Sequence, residues 1–386
     1  MLFDRCYPKI TDWLYLATNE TIDLRFLPIF SYGFWVAAGF MAAAYVIGKE
    51  LKRREALGLF AYTEKTVTHH SGVDYLSLLL YAGIGYVIGW KGGEMVTLNI
   101  DTKFIGVAVA AVFTLPKLWM ELRKEKKEAY SEIVRVFPSD LVGDFVVLCA
   151  IFGVLGSNLF NFLESPEDYA NFWRDPVGSI FSGLSVYGGM ICAGIALLVY
   201  SYVKKINVPN LFDALAYCFI LANGIGRIGC QVSGDGDWGV VNAAAKPDFI
   251  PQFLWATTYA HNIADTGVLI DGCTEAHCFV LPQAVFPTPI YEFLMCTAIF
   301  LILHALRKRM TKTPGMLFFL FFILIGIQRY SIEQIRDLSG RGLYYVLGIG
   351  LKQSELISII LVIAGILGMA WTWFYYNKIK KPTAQV

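Results

Sequence analysis

Charge is what this sequence has least of. Only 16% of its 386 residues are Asp, Glu, Lys or Arg, against about 25% in a typical soluble domain. Hydrophobic residues make up 56% of the chain and the mean hydropathy is +0.53, a balance that does not fit an ordinary soluble domain. The formal net charge of +1 provides no overall positive field for nucleic acid. The composition therefore indicates a protein embedded in a lipid bilayer.

Long runs with few or no charges recur along the chain. A bilayer-spanning helix needs about 17–25 apolar residues, and about nine runs approach this length. They are 28–48, 75–90, 104–119, 139–163, 179–203, 211–229, 288–306, 315–333 and 354–376. The second and third are short and rich in glycine, whereas Leu356–Tyr376 contains no charge. We predict an all-α fold, a polytopic bundle of about nine transmembrane helices.

Lys and Arg are scarce in alternate loops. Segments 164–178 and 230–287 have few, whereas 49–70 and 117–135 are rich in them, as are short turns near 204–205, 307–312 and 378–381. By the positive-inside rule the basic loops are cytoplasmic, which places the N-terminus outside and the C-terminus inside. The polar start lacks the basic and apolar regions of a signal peptide. We expect the first run to act as an internal signal anchor.

These runs and loops divide the chain into six predicted segments. They are an external N-terminal segment, 1–27; the first span with a basic loop, 28–70; a pair of spans with a basic loop, 71–137; core spans, 138–229; an external head or lid, 230–287; and the C-terminal spans with a cytoplasmic tail, 288–386. The charged run 123–135 is predicted to form the helical tip of a cytoplasmic hairpin.

Two of the eight cysteines, Cys273 and Cys278, lie together in a polar stretch. If that stretch is outside the cytosol, a disulfide between them is expected. A metal site that includes His277 is the alternative, although few other ligands flank it.

Ionisable residues inside spans are costly and usually mark function. Arg227 lies at the predicted external end of one span and has no partner nearby in sequence. Arg329 and Glu333 lie near the external end of another, four residues apart, so they can pair on one helix face. A self-neutralising ion pair without further function is the alternative for these two. Six glycines between 224 and 239 are predicted to break the helix around Arg227 and to let backbone approach an anionic ligand.

Three further motifs begin or interrupt spans near the same face. They are SYG at 31–33, SVYGG at 185–189 and PTPIYE at 287–292. Tyr32 and Tyr187 could instead be aromatic residues of the membrane interface. Glu292 could instead serve only to stabilise a helix N-terminus.

Taken together, the motifs resemble those of the prolipoprotein diacylglyceryl transferase family. GRIGCQVSGDGDWG, at 226–239, resembles the family signature GRxGNFxNGExxG. SVYGG resembles its HGG motif, PTPIYE its PSQLYE motif, IQRYSIEQIR its FRxxxExxR motif, and SYG its WYG motif. All five occur in the family's order, over roughly 28–50 and 138–376, so the combination is far more specific than any one motif. The resemblance implies a seven-span core, to which 70–120 adds a pair of spans.

The chain departs from the family pattern at four places. Tyr187 stands where the family has His, Cys230 where it has Asn, and Ile325 where it commonly has Tyr. Asp235 stands for the signature Glu, with one extra residue before Trp238. Tyr187 is a poor base at neutral pH, because the reference pKa of tyrosine is about 10. Glu292, Glu333 and Asp235 remain as alternative bases.

The resemblance implies an enzyme of the bacterial inner membrane that moves diacylglyceryl from phosphatidylglycerol to the lipobox cysteine of preprolipoproteins, without a metal or organic cofactor and without nucleic acid. The implied catalytic residues are Arg227, Arg329, Tyr187, Glu333 and Glu292. The implied substrate-binding residues are Tyr32, Gly188, Gly189, Cys230, Gln231, Gly234, Asp235, Gly239 and Tyr291. A related enzyme with another lipid donor or acceptor is one alternative. A transporter is another, although its charges would lie at the membrane midplane.

Overall fold

The fold is built mainly from long helices. A computed structural model describes residues 5–18, 21, 29–69, 78–79, 81–83, 85–86, 102–123, 130–164, 185–336, 343–346 and 349–379. The helices in this part of the chain are α1 (Ile10–Ala17), α2 (Ser31–Ala56), α3 (Thr102–Arg123), α4 (Val142–Glu164), α5 (Val186–Val203), α6 (Val208–Ser233), α7 (Gln252–Trp255), α8 (Thr288–Met310), α9 (Met316–Glu333) and α10 (Gln353–Phe374). The strands are β1 (Thr63–His69), β2 (Tyr130–Val136), β3 (Val268–Leu269), β4 (Phe279–Val280), β5 (Leu343–Val346) and β6 (Ile349–Lys352).

Six of these helices are long and apolar enough to cross a bilayer: α2, α4 with the turn before it, α6, α8, α9 and α10. Two shorter apolar stretches, Gly106–Trp119 in α3 and Tyr187–Val203 in α5, match two further predicted spans. The remaining prediction, 75–90, lies mostly outside the described residues. The prediction of a polytopic helical membrane protein is confirmed. The described residues also form three two-stranded ladders.

Glycines in α6 do not break the helix, contrary to the sequence-based prediction. The helix runs unbroken through Gly224 and Gly229 and ends only at Ser233, where Gly234 takes the left-handed conformation, with φ +67°. A Cβ at Gly224 would lie 2.9 Å from Cys296 of α8, and one at Gly229 would lie 3.3 Å from the Tyr32 backbone. These glycines instead let α6 pack closely on α8 and α2, as small residues do between membrane helices.

The run 123–135 was predicted to be a helical tip, and this is wrong for its second half. Residues 130–136 form β2, which pairs in antiparallel register with β1, from Thr63↔Val136 to His69↔Tyr130. Alternating polar and β-branched residues such as Thr66 and Ile133 favour this ladder over a helix. The ladder joins the part of the chain that leaves α2 to the part that enters α4.

A buried ion network ties four helices together at the end of the bundle away from the glycine-rich motif. Arg54 of α2 is fully buried, and its Nε lies 2.8 Å from Glu50 Oε1. Asp213 of α6, also fully buried, accepts the backbone N–H of Gly315 before α9. Arg307 of α8 lies 3.5 Å from Glu50. At about 1.5 Å per residue, Asp213 is about 21 Å along α6 from Arg227.

The head segment was predicted as 230–287, but residues 230–233 belong to α6, so the head begins at Gly234. It packs around a small apolar cluster of its own. Trp238 and Tyr259 are buried with ring centroids 5.1 Å apart, and Cys6 of the N-terminal segment joins them. Burial raises the pKa of the Cys6 thiol to about 12, so this thiol stays protonated at neutral pH. The two cysteines of the polar stretch, Cys273 and Cys278, form a disulfide. The head is therefore a folded unit that also holds residues 5–7.

Candidate active site

The site forms where three helix ends and one loop meet. The C-terminal end of α6 leads into the loop 234–239, which crosses the start of α8 and the end of α9. Gly239 donates its N–H to the Phe286 carbonyl at 2.9 Å, and Val240 donates to the Ile335 carbonyl at 2.9 Å. A Cβ at Gly239 would come within 2.5 Å of the Ile335 oxygen, so only glycine permits this close approach.

Six charged side chains form one continuous chain of ion pairs across this junction. Asp237 contacts Arg336 through one carboxylate oxygen and Arg227 through the other. Arg227 also contacts Glu292 through Nε. Glu292 in turn lies 3.5 Å from Arg329 Nη1, and Arg329 Nη2 lies 3.3 Å from Glu333. Positive and negative groups alternate along the whole chain.

The carboxylates of this chain differ in burial. Glu333 is fully buried and Glu292 is 2% exposed, whereas the Asp237 side chain is 26% exposed. Neither oxygen of Glu333 has a hydrogen-bond partner in the described structure, and Arg329 is its ion-pair partner. Buried charges of this kind depend on each other, because removing one leaves its neighbour unpaired. The arrangement can hold an anion between guanidinium groups and offers carboxylates as proton acceptors.

Two sequence predictions concern residues of this chain of ion pairs, and one of the two was wrong. The predicted Arg329–Glu333 pair is confirmed. Arg227 was predicted to be unpaired, but Glu292 and Asp237 are both its partners. These partners come from a different helix and from the loop that follows α6, which sequence spacing alone cannot bring together.

Two residues of the ion-pair chain, Asp237 and Arg336, were missing from the predicted site. Asp237 contacts the arginines, and Asp235, which was predicted to bind substrate, accepts the Asp237 backbone N–H at 3.3 Å. Arg336 was overlooked although it is the final Arg of the IQRYSIEQIR motif. The extra residue in the loop and that second Arg were the signals that could have found them.

Other predicted site residues lie around the same helix ends. Cys230 Sγ is 3.9 Å from Arg227 Nη1. Gln231 accepts the Tyr259 hydroxyl at 2.6 Å, so its side chain supports the head. The Tyr291 hydroxyl donates to the Leu254 carbonyl at 2.8 Å. Tyr32, whose backbone lies against Gly229, is 46% exposed.

The SVYGG motif lies at the start of α5, packed against α4. A Cβ at Gly188 would be 2.4 Å from the Gly156 carbonyl oxygen, and one at Gly189 would be 2.5 Å from Ser157 Oγ. Both glycines therefore allow close helix packing. The Tyr187 hydroxyl is buried and has no hydrogen-bond partner among the described residues. A buried hydroxyl without a partner is unusual, because it loses its hydration without compensation.

One group of side chains in the described structure has the spacing of metal ligands. Ligand atoms of Cys230, Asp235 and Asp237 lie within 4.8 Å of one another. Both oxygens of Asp237 already contact guanidinium groups, from Arg227 and Arg336. Two such positive neighbours oppose a cation at this position, and the site is better suited to an anion.

Comparison with known proteins gives the same family as the motifs. Residues 94–371 match the sequence model of the family described as prolipoprotein diacylglyceryl transferase. A phosphatidylglycerol–prolipoprotein diacylglyceryl transferase of Clostridium perfringens is 23% identical over 271 residues, which cover 70% of this chain and 90% of that protein. A protein of the same name from Streptococcus uberis is 26% identical over 59% of this chain and 78% of its own length. Another from Staphylococcus aureus is 26% identical over 62% of this chain and 76% of its own length. The chain belongs to the prolipoprotein diacylglyceryl transferase family.

Proposed function

We propose that this protein transfers the diacylglyceryl group of phosphatidylglycerol to the lipobox cysteine of preprolipoproteins. The observation that carries the proposal is the chain of ion pairs, which gathers Arg227, Arg329 and Arg336 at one end of the helical bundle. Guanidinium groups are well suited to hold a phosphodiester, because their planar array of donors can bind two oxygens at once. The family membership supports the same reaction.

The proposed reaction is a displacement at the glycerol carbon that carries the phosphate. The thiolate of the lipobox cysteine forms a C–S bond to this carbon while the C–O bond to phosphate breaks. Glycerol phosphate leaves with the electron pair, and the thiol proton passes to a carboxylate. Arg227 and Arg329 would stabilise the charge that develops on the leaving oxygen. A nearby positive charge would also favour the thiolate, whose pKa without such help is about 8.5.

Glu292 and Glu333 are the proposed proton acceptors. Glu292 contacts both Arg227 and Arg329, so a proton accepted there would stay beside the reacting groups. Glu333 has oxygens without hydrogen-bond partners in the described structure. Tyr187, whose hydroxyl has no hydrogen-bond partner among the described residues, would donate a hydrogen bond to the lipid or to the peptide. The other proposed contacts to substrate are Tyr32, Gly188, Gly189, Cys230, Gln231, Gly234, Asp235, Gly239 and Tyr291.

We place the site at the external face of the bacterial inner membrane, with the N-terminus outside and the C-terminus in the cytoplasm. The last turns of α2 and α8 carry Arg53, Arg54, Arg307, Lys308 and Arg309, which the positive-inside rule assigns to the cytoplasm. The ion-pair chain lies at the opposite ends of α6, α8 and α9. This location suits a lipid headgroup of the outer leaflet.

A related reaction with another lipid donor or acceptor is the second candidate. It is favoured by two of the four departures from the family motifs, Tyr187 for His and Cys230 for Asn. Both candidates predict binding of an anionic lipid, but only the first predicts a product from phosphatidylglycerol.

The direct test is to incubate the purified protein with phosphatidylglycerol and a synthetic lipobox peptide. Mass spectrometry should detect a peptide whose cysteine has gained diacylglyceryl, together with free glycerol phosphate. A peptide with Ser in place of the cysteine is the control and should stay unmodified. If phosphatidylglycerol gives no product while another lipid does, the second candidate is correct.

A further inference from the structure

Asp237 has contacts that a lipid phosphate would also need. Its two carboxylate oxygens contact two different arginines, Arg227 and Arg336. A phosphate presents oxygens to a pair of guanidinium groups in much the same way. The acceptor position between these arginines is therefore filled by a side chain of the protein itself.

The charge balance of the ion-pair chain determines whether an anion can bind at the position that Asp237 fills. The three arginines Arg227, Arg329 and Arg336 and the three carboxylates Glu292, Glu333 and Asp237 together carry no net charge when all six groups are ionised. A phosphodiester adds a negative charge in a partly desolvated place, where an unmatched charge is expensive. An anion can bind well only if one carboxylate withdraws or takes up a proton.

Of the three carboxylates, Asp237 is the one that can withdraw. Glu292 and Glu333 lie on helices and are at most 2% exposed. Asp237 lies on the loop between Gly234 and Gly239, and its side chain is 26% exposed. Its backbone carbonyl accepts a hydrogen bond from Thr288 Oγ1. Because this bond fixes the backbone, Asp237 can release the arginines by rotating its side chain, without movement of the loop.

We propose that Asp237 is an internal competitor of the lipid phosphate, which displaces it from Arg227 and Arg336 on binding. This inference rests on the proposed function and deepens it, since it assigns a residue that sets the affinity for the anionic headgroup. When no lipid is bound, Asp237 keeps the two arginines paired and in position. When lipid binds, the phosphate takes over these contacts and Asp237 turns toward solvent.

The test measures lipid affinity separately from turnover. A short-chain phosphatidylglycerol is titrated into the detergent-solubilised full-length protein by calorimetry, with short-chain phosphatidylcholine as the reference for acyl-chain binding. Asp237→Asn removes the competing charge and keeps the side-chain shape, so phosphatidylglycerol should bind about tenfold more tightly or better, the value of a hydrogen bond to a charged group. Asp237→Ser should show the same gain, and it keeps the test valid if one variant folds poorly.

Two control variants sharpen the result. Asp265→Asn removes a charge from the head, where Asp265 pairs with His277 rather than with the arginines, and it should change the affinity by less than about twofold. Asp237→Glu keeps the negative charge and should bind like the wild type. Unchanged or weaker binding in both Asp237→Asn and Asp237→Ser overturns the proposal, as does an equal gain in Asp265→Asn.

Failure of this inference and failure of the proposed function look different. If the wild type binds phosphatidylglycerol and forms the thioether while the neutral Asp237 variants gain no affinity, only the competitor role is wrong. If the wild type neither binds phosphatidylglycerol nor forms product, the proposed function fails and this inference falls with it.

Discussion

Arg227 offers the sharpest test of the proposed chemistry. Its guanidinium contacts two carboxylates with different nitrogens, Asp237 with Nη1 and Glu292 with Nε. Arg227→Ala removes both contacts and one donor to the developing phosphate charge. The loss of one such donor typically lowers the rate by about 10²–10³, or about 2.7–4 kcal/mol of transition-state stabilisation. We expect Arg227→Ala to reduce transfer at least this much.

Arg227→Lys separates charge from geometry. Lysine keeps the positive charge but has a single ammonium group, which cannot reproduce the rigid fork that reaches Asp237 and Glu292 together. This variant should therefore also lose most of its activity. The assay is formation of diacylglyceryl peptide, counted by mass spectrometry at saturating lipid and normalised to protein that elutes as a single species.

The matched control for both variants is Arg5→Ala. Arg5 also pairs with a carboxylate, Glu275, but in the head, and Glu275 is 51% exposed. An exposed pair of this kind contributes at most about 1 kcal/mol, so Arg5→Ala should transfer normally. Near-normal turnover in Arg227→Ala or Arg227→Lys would refute the role of Arg227 in holding the phosphate.

Three other predictions follow from the site and the head. Tyr187→Phe should lower transfer about 10–150-fold if the hydroxyl donates a hydrogen bond to a charged substrate group. It should not lower the melting temperature, because that hydroxyl has no partner in the described structure. Full activity would make Tyr187 a packing residue. A membrane-impermeant thiol reagent should label engineered cysteines in 230–287 and miss those in 117–135, and the reverse would overturn the orientation. Cys273→Ser removes the disulfide to Cys278, which closes a short loop, so denaturant titrations should show the head destabilised by about 2 kcal/mol. Transfer should continue, and abolished transfer in folded protein would contradict this prediction.

The glycines show why a motif does not reveal its own structural role. A glycine-rich segment predicts a broken helix, because glycine weakens helices by about 1 kcal/mol. In α6 that preference is overridden by packing, since Gly224 and Gly229 bring α8 and α2 close to the helix. Only Gly234, with its positive φ, ends the helix as the sequence argument requires.

The segment 71–137, which was predicted to contain an additional pair of spans, shows a similar limit. Hydropathy predicted two spans there, and α3 agrees with the second of them. The β1–β2 ladder was not predicted, because its partners are separated by more than sixty residues, as in Thr63↔Val136. Pairing between distant strands depends on the chain between them, which a local pattern does not describe.

The sequence by itself determined the features that depend on local composition and spacing. Apolar length determined the membrane-spanning helices, the order of five motifs indicated the family, and a four-residue spacing predicted the Arg329–Glu333 pair. Only the tertiary structure decided which charges meet. Glu292 reaches Arg227 from another helix, and Asp237 reaches Arg336 across the loop. Each buried charge needs a partner, and its own helix cannot always supply one. The partners therefore come from other helices and loops, at the place where the helix ends meet.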